Sequence, residues 1–343
     1  MRSKQFHRST PVTVNSGRRR ILAGLGGLTG TTLLGAVTEA YAQSYPAKAV
    51  KLIVPFPPGG STDVAGRVLG QSMAADLGQP FVIDNRAGAA GALGMDVVAK
   101  SAPDGYTLGV GGVGAMVTLE LLGRKLPYNA FKDLVPVGHM GSLGLGIAAK
   151  NGLKARNISE LIALAKAQPG KLSYGTSGTG SPGHLAFEYF KSLTGVDMLH
   201  VPYKGDAPLT ADVIGGQVDI GILTGPTALA QSRGNGLRVL AMTSAARSEQ
   251  APQIPTVAES GVPNYAAEIW NVLVAPAGTP DAAVDRLNTA LNAALALPTV
   301  RAQLAAQGLA VAPMSAKATA QFLQKEREKW AMVVKRSGAQ LDS

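Results

Sequence analysis

From residue 50 onward, short apolar runs alternate with longer stretches in which apolar residues recur every three or four positions. Val50-Lys51-Leu52-Ile53-Val54 is an apolar run of strand length, closed by Pro and Gly. Asp63 to Leu77 carries Ala65, Leu69, Met73 and Leu77 at i+4 spacing, with Val64 and Val68 beside them, which is the stripe of an amphipathic helix. Phe81-Val82-Ile83 predicts a strand, Gly91 to Lys100 a helix, and Tyr106 to Val110 a strand behind the turn Pro103-Asp104-Gly105. The same grammar returns further on, with helices expected over Ile158 to Ala167, Ser181 to Leu193 and Ala207 to Ile214. Strands are expected over Leu172 to Tyr174, Met198 to Val201 and Val218 to Leu223. Such alternation implies right-handed βαβ units and mostly parallel sheets. The tail reads as helices over Ala282 to Leu297, Thr299 to Gln307 and Ala316 to Val334, and Lys325-Glu326-Arg327-Glu328-Lys329 reads as a solvated helix face of mixed sign.

The first residues follow another rule. Arg18-Arg19-Arg20 precedes a weakly apolar stretch from Ile21 to Val37, and Ala40-Tyr41-Ala42 supplies a small-x-small cleavage site. Ser16 before the arginines and Ile21-Leu22 after them resemble a twin-arginine export signal, with a general secretory signal and an uncleaved anchor as alternatives. The apolar stretch is marginal for a bilayer span, which needs about 20 strongly apolar residues. Residues 1–42 are therefore expected to be an export signal, leaving a periplasmic chain that starts near Gln43 and does not span the membrane.

Length and charge narrow the picture. A chain of 343 residues accommodates two domains, and 42 Gly with 21 Pro suit the many short connections of a strand–helix fold. Cysteine is absent, which removes disulfides, zinc knuckles and thiol nucleophiles. Half of the +10 net charge lies in the leader, where six basic residues face Glu39 alone. The remaining bias is mild, suits anionic ligands, and lacks the run or stripe of a nucleic-acid footprint.

Two strand-to-helix connections are rich in Gly, Ser and Thr. One is Pro55-Phe56-Pro57-Pro58-Gly59-Gly60-Ser61-Thr62, opening a helix at Asp63. The other is Gly175-Thr176-Ser177-Gly178-Thr179-Gly180-Ser181, with Ser181 placed as a helix cap and Pro182 at the first helical position. A helix start leaves amides without intrahelical partners and carries partial positive charge. Glycine lets backbone amides approach a ligand, so such a loop can hold a carboxylate without Arg or Lys. Read as plain turns, the same residues would need no ligand.

Catalytic and cofactor patterns are weak. Gly178-x-Gly180-x-x-Gly183 fits a dinucleotide fingerprint, but so does Gly109-x-Gly111-x-x-Gly114, and the acid expected at the end of the following strand is missing where Val201-Pro202 stands. No cofactor is expected. His139, His184 and His200 show no helical metal pairing, and no G-x-S-x-G elbow or Walker phosphate loop occurs. His184 reads equally as a ligand donor or as a packing residue.

At this point the motifs resemble one family. Pro55 to Asp63 is similar to the first ligand loop of the tripartite tricarboxylate transporter solute receptors, the Bug family. Val82-Ile83-Asp84-Asn85-Arg86-Ala87-Gly88-Ala89-Ala90-Gly91, Pro103 to Leu108, Leu126-Pro127-Tyr128 and Gly178 to Leu185 match in order, as do Val201 to Gly205, Gly215 to Asp219 and Ala275 to Pro280. The resemblance implies an α/β type II periplasmic binding protein, two lobes with a ligand cleft and two crossovers, and no catalysis. It implies capture of a small organic carboxylate, delivery to a membrane permease, and a monomer. Carried over by position, the ligand contacts are Phe56, Gly59, Gly60, Ser61, Thr62 and Asp63 in one lobe. In the other they are Ser177, Gly178, Thr179, Gly180, Ser181 and His184, with Tyr203 and Asp206 near the cleft. Asp63 beside an anion is explained by capping its own helix, ordering a water or meeting an ammonium group. The chain departs from the family in Val113 to Glu120, more apolar than usual, which hints at a ligand with a hydrocarbon or aromatic portion, and in Asn271 after Trp270. The expected lobes are 43–140 plus 272–343, and 141–271. A sensor subunit for a membrane kinase, or a hydrolase using His184 with a nearby Ser, are the rival functions.

Overall fold

In the computed structural model, residues 45–339 are described, so the expected export signal lies outside the described residues. The first βαβ unit is strand β1 (Val50–Val54), helix α1 (Ser61–Leu77) and strand β2 (Phe81–Asn85). Helix α1 buries Ala65, Leu69, Met73 and Leu77, the stripe visible in the sequence, and ends at Gly78 in the left-handed conformation that glycine favours. Helix α2 (Ala92–Ala99) follows a 3-10 turn at Ala89–Gly91 and leads to strand β3 (Thr107–Gly112). β1 pairs in parallel with both β2 and β3. A π-helical turn at Gly114–Thr118 runs into the short helix α3 (Leu119–Leu121).

Strand β4 (Leu134–Ala149) is the joint of the molecule. After it come α4 (Ile158–Ala167), β5 (Ser173–Thr176), α5 (Pro182–Thr194), β6 (Leu199–Pro202), α6 (Asp206–Ile214), β7 (Ile220–Thr224), α7 (Gly225–Arg233) and β8 (Arg238–Met242). Strand β9 (Glu268–Pro276) returns, and helices α8 (Asp281–Ala296), α9 (Pro298–Ala306) and α10 (Ala316–Ser337) close the chain. The strands form one hydrogen-bonded path, β2-β1-β3-β9-β4-β7-β5-β6, with β8 also on β4. From Leu134 to Gly144, β4 pairs with β9, and from Leu145 to Ala149 it pairs with β7 and β8. One strand therefore serves two sheets, and its change of partner falls at Gly144-Leu145.

The sheets are mixed rather than mostly parallel. β4 and β9 run antiparallel to their neighbours, a consequence of the chain crossing between sheets twice. The sequence reading missed β4 because glycine interrupts its apolar pattern. Those glycines admit close neighbours: a Cβ at Gly138 would lie 2.7 Å from Leu291 of α8, and one at Gly146 2.5 Å from Ala228 of α7. Two large apolar cores result, with two smaller clusters around α6 and α7. One joins α1, α8 and α9 to β1 and β3, and the other joins α2, α5 and α10 with Trp270 and Trp330.

The charged stretch on α10 also departs from expectation. Glu326 is only 8% exposed and accepts from Nε1 of both Trp270 (2.8 Å) and Trp330 (2.9 Å). Lys329 Nζ neutralises it at 2.5 Å and also donates to the Ala266 carbonyl. α10 packs on β4, on α5 and on the 114–118 turn, so the last helix bridges the two sheets.

Candidate functional site

The first loop connects β1 to α1 and is shaped by Asp63. This carboxylate is 2% exposed, and it accepts from the Gly59 amide (2.9 Å), Arg67 Nε (2.9 Å) and Asn85 Nδ2 (2.8 Å). Asn85 Nδ2 also donates to the Phe56 carbonyl at 3.0 Å, so the end of β2 pins both ends of the loop. Burial alone would raise the Asp63 pKa; the hydrogen bonds from Arg67, Gly59 and Asn85 outweigh it and hold the carboxyl at about 2. These contacts make Asp63 a brace of the loop, a role that was not among the three raised for it from the sequence. Gly59 takes φ 87°, which a side chain would resist. Helix α1 then begins at the cap Gly60, which has no side chain to accept from the first turn. The amides of Ser61, Thr62 and Asp63 are left without an acceptor among the described residues.

The second loop connects β5 to α5. Ser181 caps the helix as expected, its Oγ accepting from the His184 amide at 3.2 Å. His184 is buried, and its Nδ1 accepts from the Gly180 amide at 3.0 Å, which leaves the proton of the neutral ring on Nε2. Its ring stacks on His200 at 4.0 Å with an interplanar angle of 8°. His200 Nε2 in turn lies 2.7 Å from Thr176 Oγ1. His184 thus braces the loop and packs at the same time. The Gly178 amide turns back toward Thr176 Oγ1 (3.4 Å), so the glycines named in the sequence shape the loop more than they offer amides. The open amides are those of Ser177, Thr179 and Gly183, which have no acceptor among the described residues.

The remaining expected residues are engaged locally. Tyr203 donates to Asp212 Oδ2 at 2.8 Å, and burial, aided by that carboxylate, pushes its hydroxyl up to about 12. Asp206 Oδ2 accepts from the Thr224 amide at 3.1 Å and ties the start of α6 to the end of β7. Sequence reasoning missed Asn85, Arg67, His200 and Asp212. Asn85 sat inside the motif that carries the family resemblance, and that was the signal for it.

A line of packing runs from one loop to the other. A Cβ on Gly91 would touch Pro55 at the root of the first loop (3.5 Å) and Ala115 in the π-helical turn (3.4 Å). Val113 before that turn and Thr118 at its end line one narrow gap with Pro182 and Leu185 at the start of α5. Met116 and Val117 are buried, so the apolar character of this stretch is used at least in packing. Neither loop contains Lys or Arg. Two clusters of open amides, one at each helix start, are therefore the positive features of the two loops, and an anion is what they fit.

Residues 65–339 match the model of the tripartite tricarboxylate transporter family receptor. The chain belongs to this family. It is 40% identical to protein BugT of Bordetella pertussis over 323 residues, 94% of this chain and 98% of that protein. Among solved structures, an R. palustris protein with adipate is 34% identical with a TM-score of 0.72, covering 87% of this chain and all of that one. MatC from Rhodopseudomonas palustris with bound malate is 32% identical with a TM-score of 0.68, covering 84% of this chain and all of that one. The mixed α/β architecture is thus that of the type II periplasmic binding proteins, and the receptor family is one of solute binding rather than catalysis. Among the described residues no helix is long and apolar enough to cross a membrane, and no side-chain cluster could hold a metal ion.

Proposed function

We propose that this receptor captures a small organic carboxylate between the first loop (Phe56 to Asp63) and the second loop (Ser177 to His184), and passes it to a membrane permease. The observation that carries the reading is the pair of Gly-rich helix starts, each with unsatisfied amides and neither with a cation. Amides at Ser61, Thr62 and Asp63 on one side, and at Ser177, Thr179 and Gly183 on the other, would each take one carboxylate of a dicarboxylic acid. Adipate and malate in the related structures are of this class and support the choice. Asp63, Gly59, Gly178, Gly180 and His184 hold the loops in shape, while Tyr203 and Asp206 border the site. The two lobes would be 43–140 plus 272–343, and 141–271, with β4 and β9 as the crossings. The chain would work as a periplasmic monomer after removal of residues 1–42, and the permease follows from the family.

A thermal-shift series with adipate, malate and citrate tests this. A ligand at 100 times its dissociation constant should add about 2.7 kcal/mol to stability. Gly60→Val is the informative variant, because Gly60 has φ −75° and an added Cβ would meet only the Pro57 carbonyl, at 3.8 Å. The fold should survive and the shift should vanish. A Gly60→Val protein that responds to every acid as the parent does would remove the first loop from the site.

A further inference from the structure

A cavity of about 400 Å3 lies beside β4, lined by none of the residues of the two ligand loops. Its lining comes from Leu143 and Gly144 of β4, the start of α7, the 244–250 segment after β8, the end of α9 and residues 308–314. The volume falls in the range of small-molecule sites, about 300–1,000 Å3. Most of the surface is apolar, with Leu143, Leu229, Met242, Leu309 and Phe322 contributing.

The charges around it are unequally committed. Arg247 is held by Glu259 at 2.9 Å, and Glu268 accepts from the Ala245 amide at 2.9 Å. Exposed Glu249 is the remaining acid. Exposed Arg301 makes no ion pair among the described residues. Helix α7 begins here at Gly225-Pro226 without a side-chain cap, since the Thr224 hydroxyl donates to Thr227 Oγ1 instead. Its first amides therefore add partial positive charge to a cavity that Arg301 also lines. Deeper in, His139 is 2% exposed, with Nε2 3.1 Å from Ser142 Oγ. The backbone of Ala312 adjoins the ring and partly offsets the effect of its burial.

We propose that this cavity is a second small-molecule site, separate from the carboxylate cleft, for an amphipathic monocarboxylate. The hydrocarbon body lies among Leu143, Leu229, Met242 and Phe322, and the carboxylate faces Arg301 and the start of α7. The site stands whether or not the two loops bind a dicarboxylate.

Calorimetric titration of the full chain with octanoate, 1-octanol and octylammonium tests the assignment. Octanoate is expected to bind once per chain, and the alcohol and the amine about tenfold or more weakly, as expected when a charge-assisted contact is lost. Arg301→Gln should bring octanoate down to the level of the alcohol and leave the alcohol unchanged. Leu229→Trp should fill the cavity and abolish both, and Gly60→Val should alter neither. Should Leu229→Trp fail to fold, the solvent-exposed Arg301→Gln decides alone. Absence of saturable octanoate binding, octanoate affinity unchanged by Arg301→Gln, or octanoate binding lost in Gly60→Val would each overturn the proposal.

Discussion

At the scale of single residues, side chains named for ligand contact turn out to brace backbone. Asp63 is the clearest case, because its carboxylate is spent on Gly59, Arg67 and Asn85. Its folded pKa of about 2 lies below the ordinary 3.8, so its contribution is complete above pH 4 and is lost as pH falls from 3.8 through about 2. Asp63→Asn should therefore weaken carboxylate binding at pH 7 and flatten the acid limb of a stability curve between pH 4 and 2. Unchanged affinity in calorimetry would deny the bracing role. His139 acts in a higher window. Desolvation lowers it from 6.5 to about 4, so the unfolded chain takes up a proton first and stability falls as pH drops from 6.5 toward 4. The loss should reach about 3 kcal/mol, and His139→Phe should remove that slope in melting curves recorded across this range. For His184, whose Nδ1 holds the Gly180 amide, His184→Ala should weaken binding and expose no hydrolytic turnover in either protein.

Among the elements, α10 shows how a charged pattern can conceal a buried function. The run from Lys325 to Lys329 has the composition of a solvated face, yet Glu326 satisfies two buried indoles. Glu326→Ala would leave both Nε1 donors buried and unpaired, at a cost of about 2–4 kcal/mol in denaturant unfolding. A loss below about 0.5 kcal/mol, the level of an ordinary surface substitution, would show that water replaces the carboxylate. Helix periods were legible because α1 and α4 each bury one regular stripe, whereas α5, buried from Gly183 to Phe190, was read from its cap and proline. Strands β4, β8 and β9 and helix α7 were not read. In β4, glycine at 138, 141, 144 and 146 breaks the alternation, and its reason lies in contacts with α7, α8, Ser244 and the 308–310 segment, far along the chain. The two loops themselves were readable, since cap, glycine and proline signals are local. Which amides remain open was not, because that depends on Asn85 and His184 reaching back from neighbouring positions in the fold.

For the whole molecule, the crossing strands matter most. β4 changes partners at Gly144-Leu145 while β9 begins at Glu268, so the two sheets meet over a few residues. Helix α10 lies across both, a feature that the division into two lobes did not foresee. On this frame the family's task reduces to one arrangement: helix starts α1 and α5 presenting amides where other proteins use arginine. Amide chemical shifts on titration with adipate or malate report that arrangement most directly. The account expects the largest changes at Ser61, Thr62, Asp63, Ser177, Thr179 and Gly183, with smaller ones at Gly59 and Gly180, whose amides are already bonded. Saturable binding that leaves both helix starts unperturbed would contradict it.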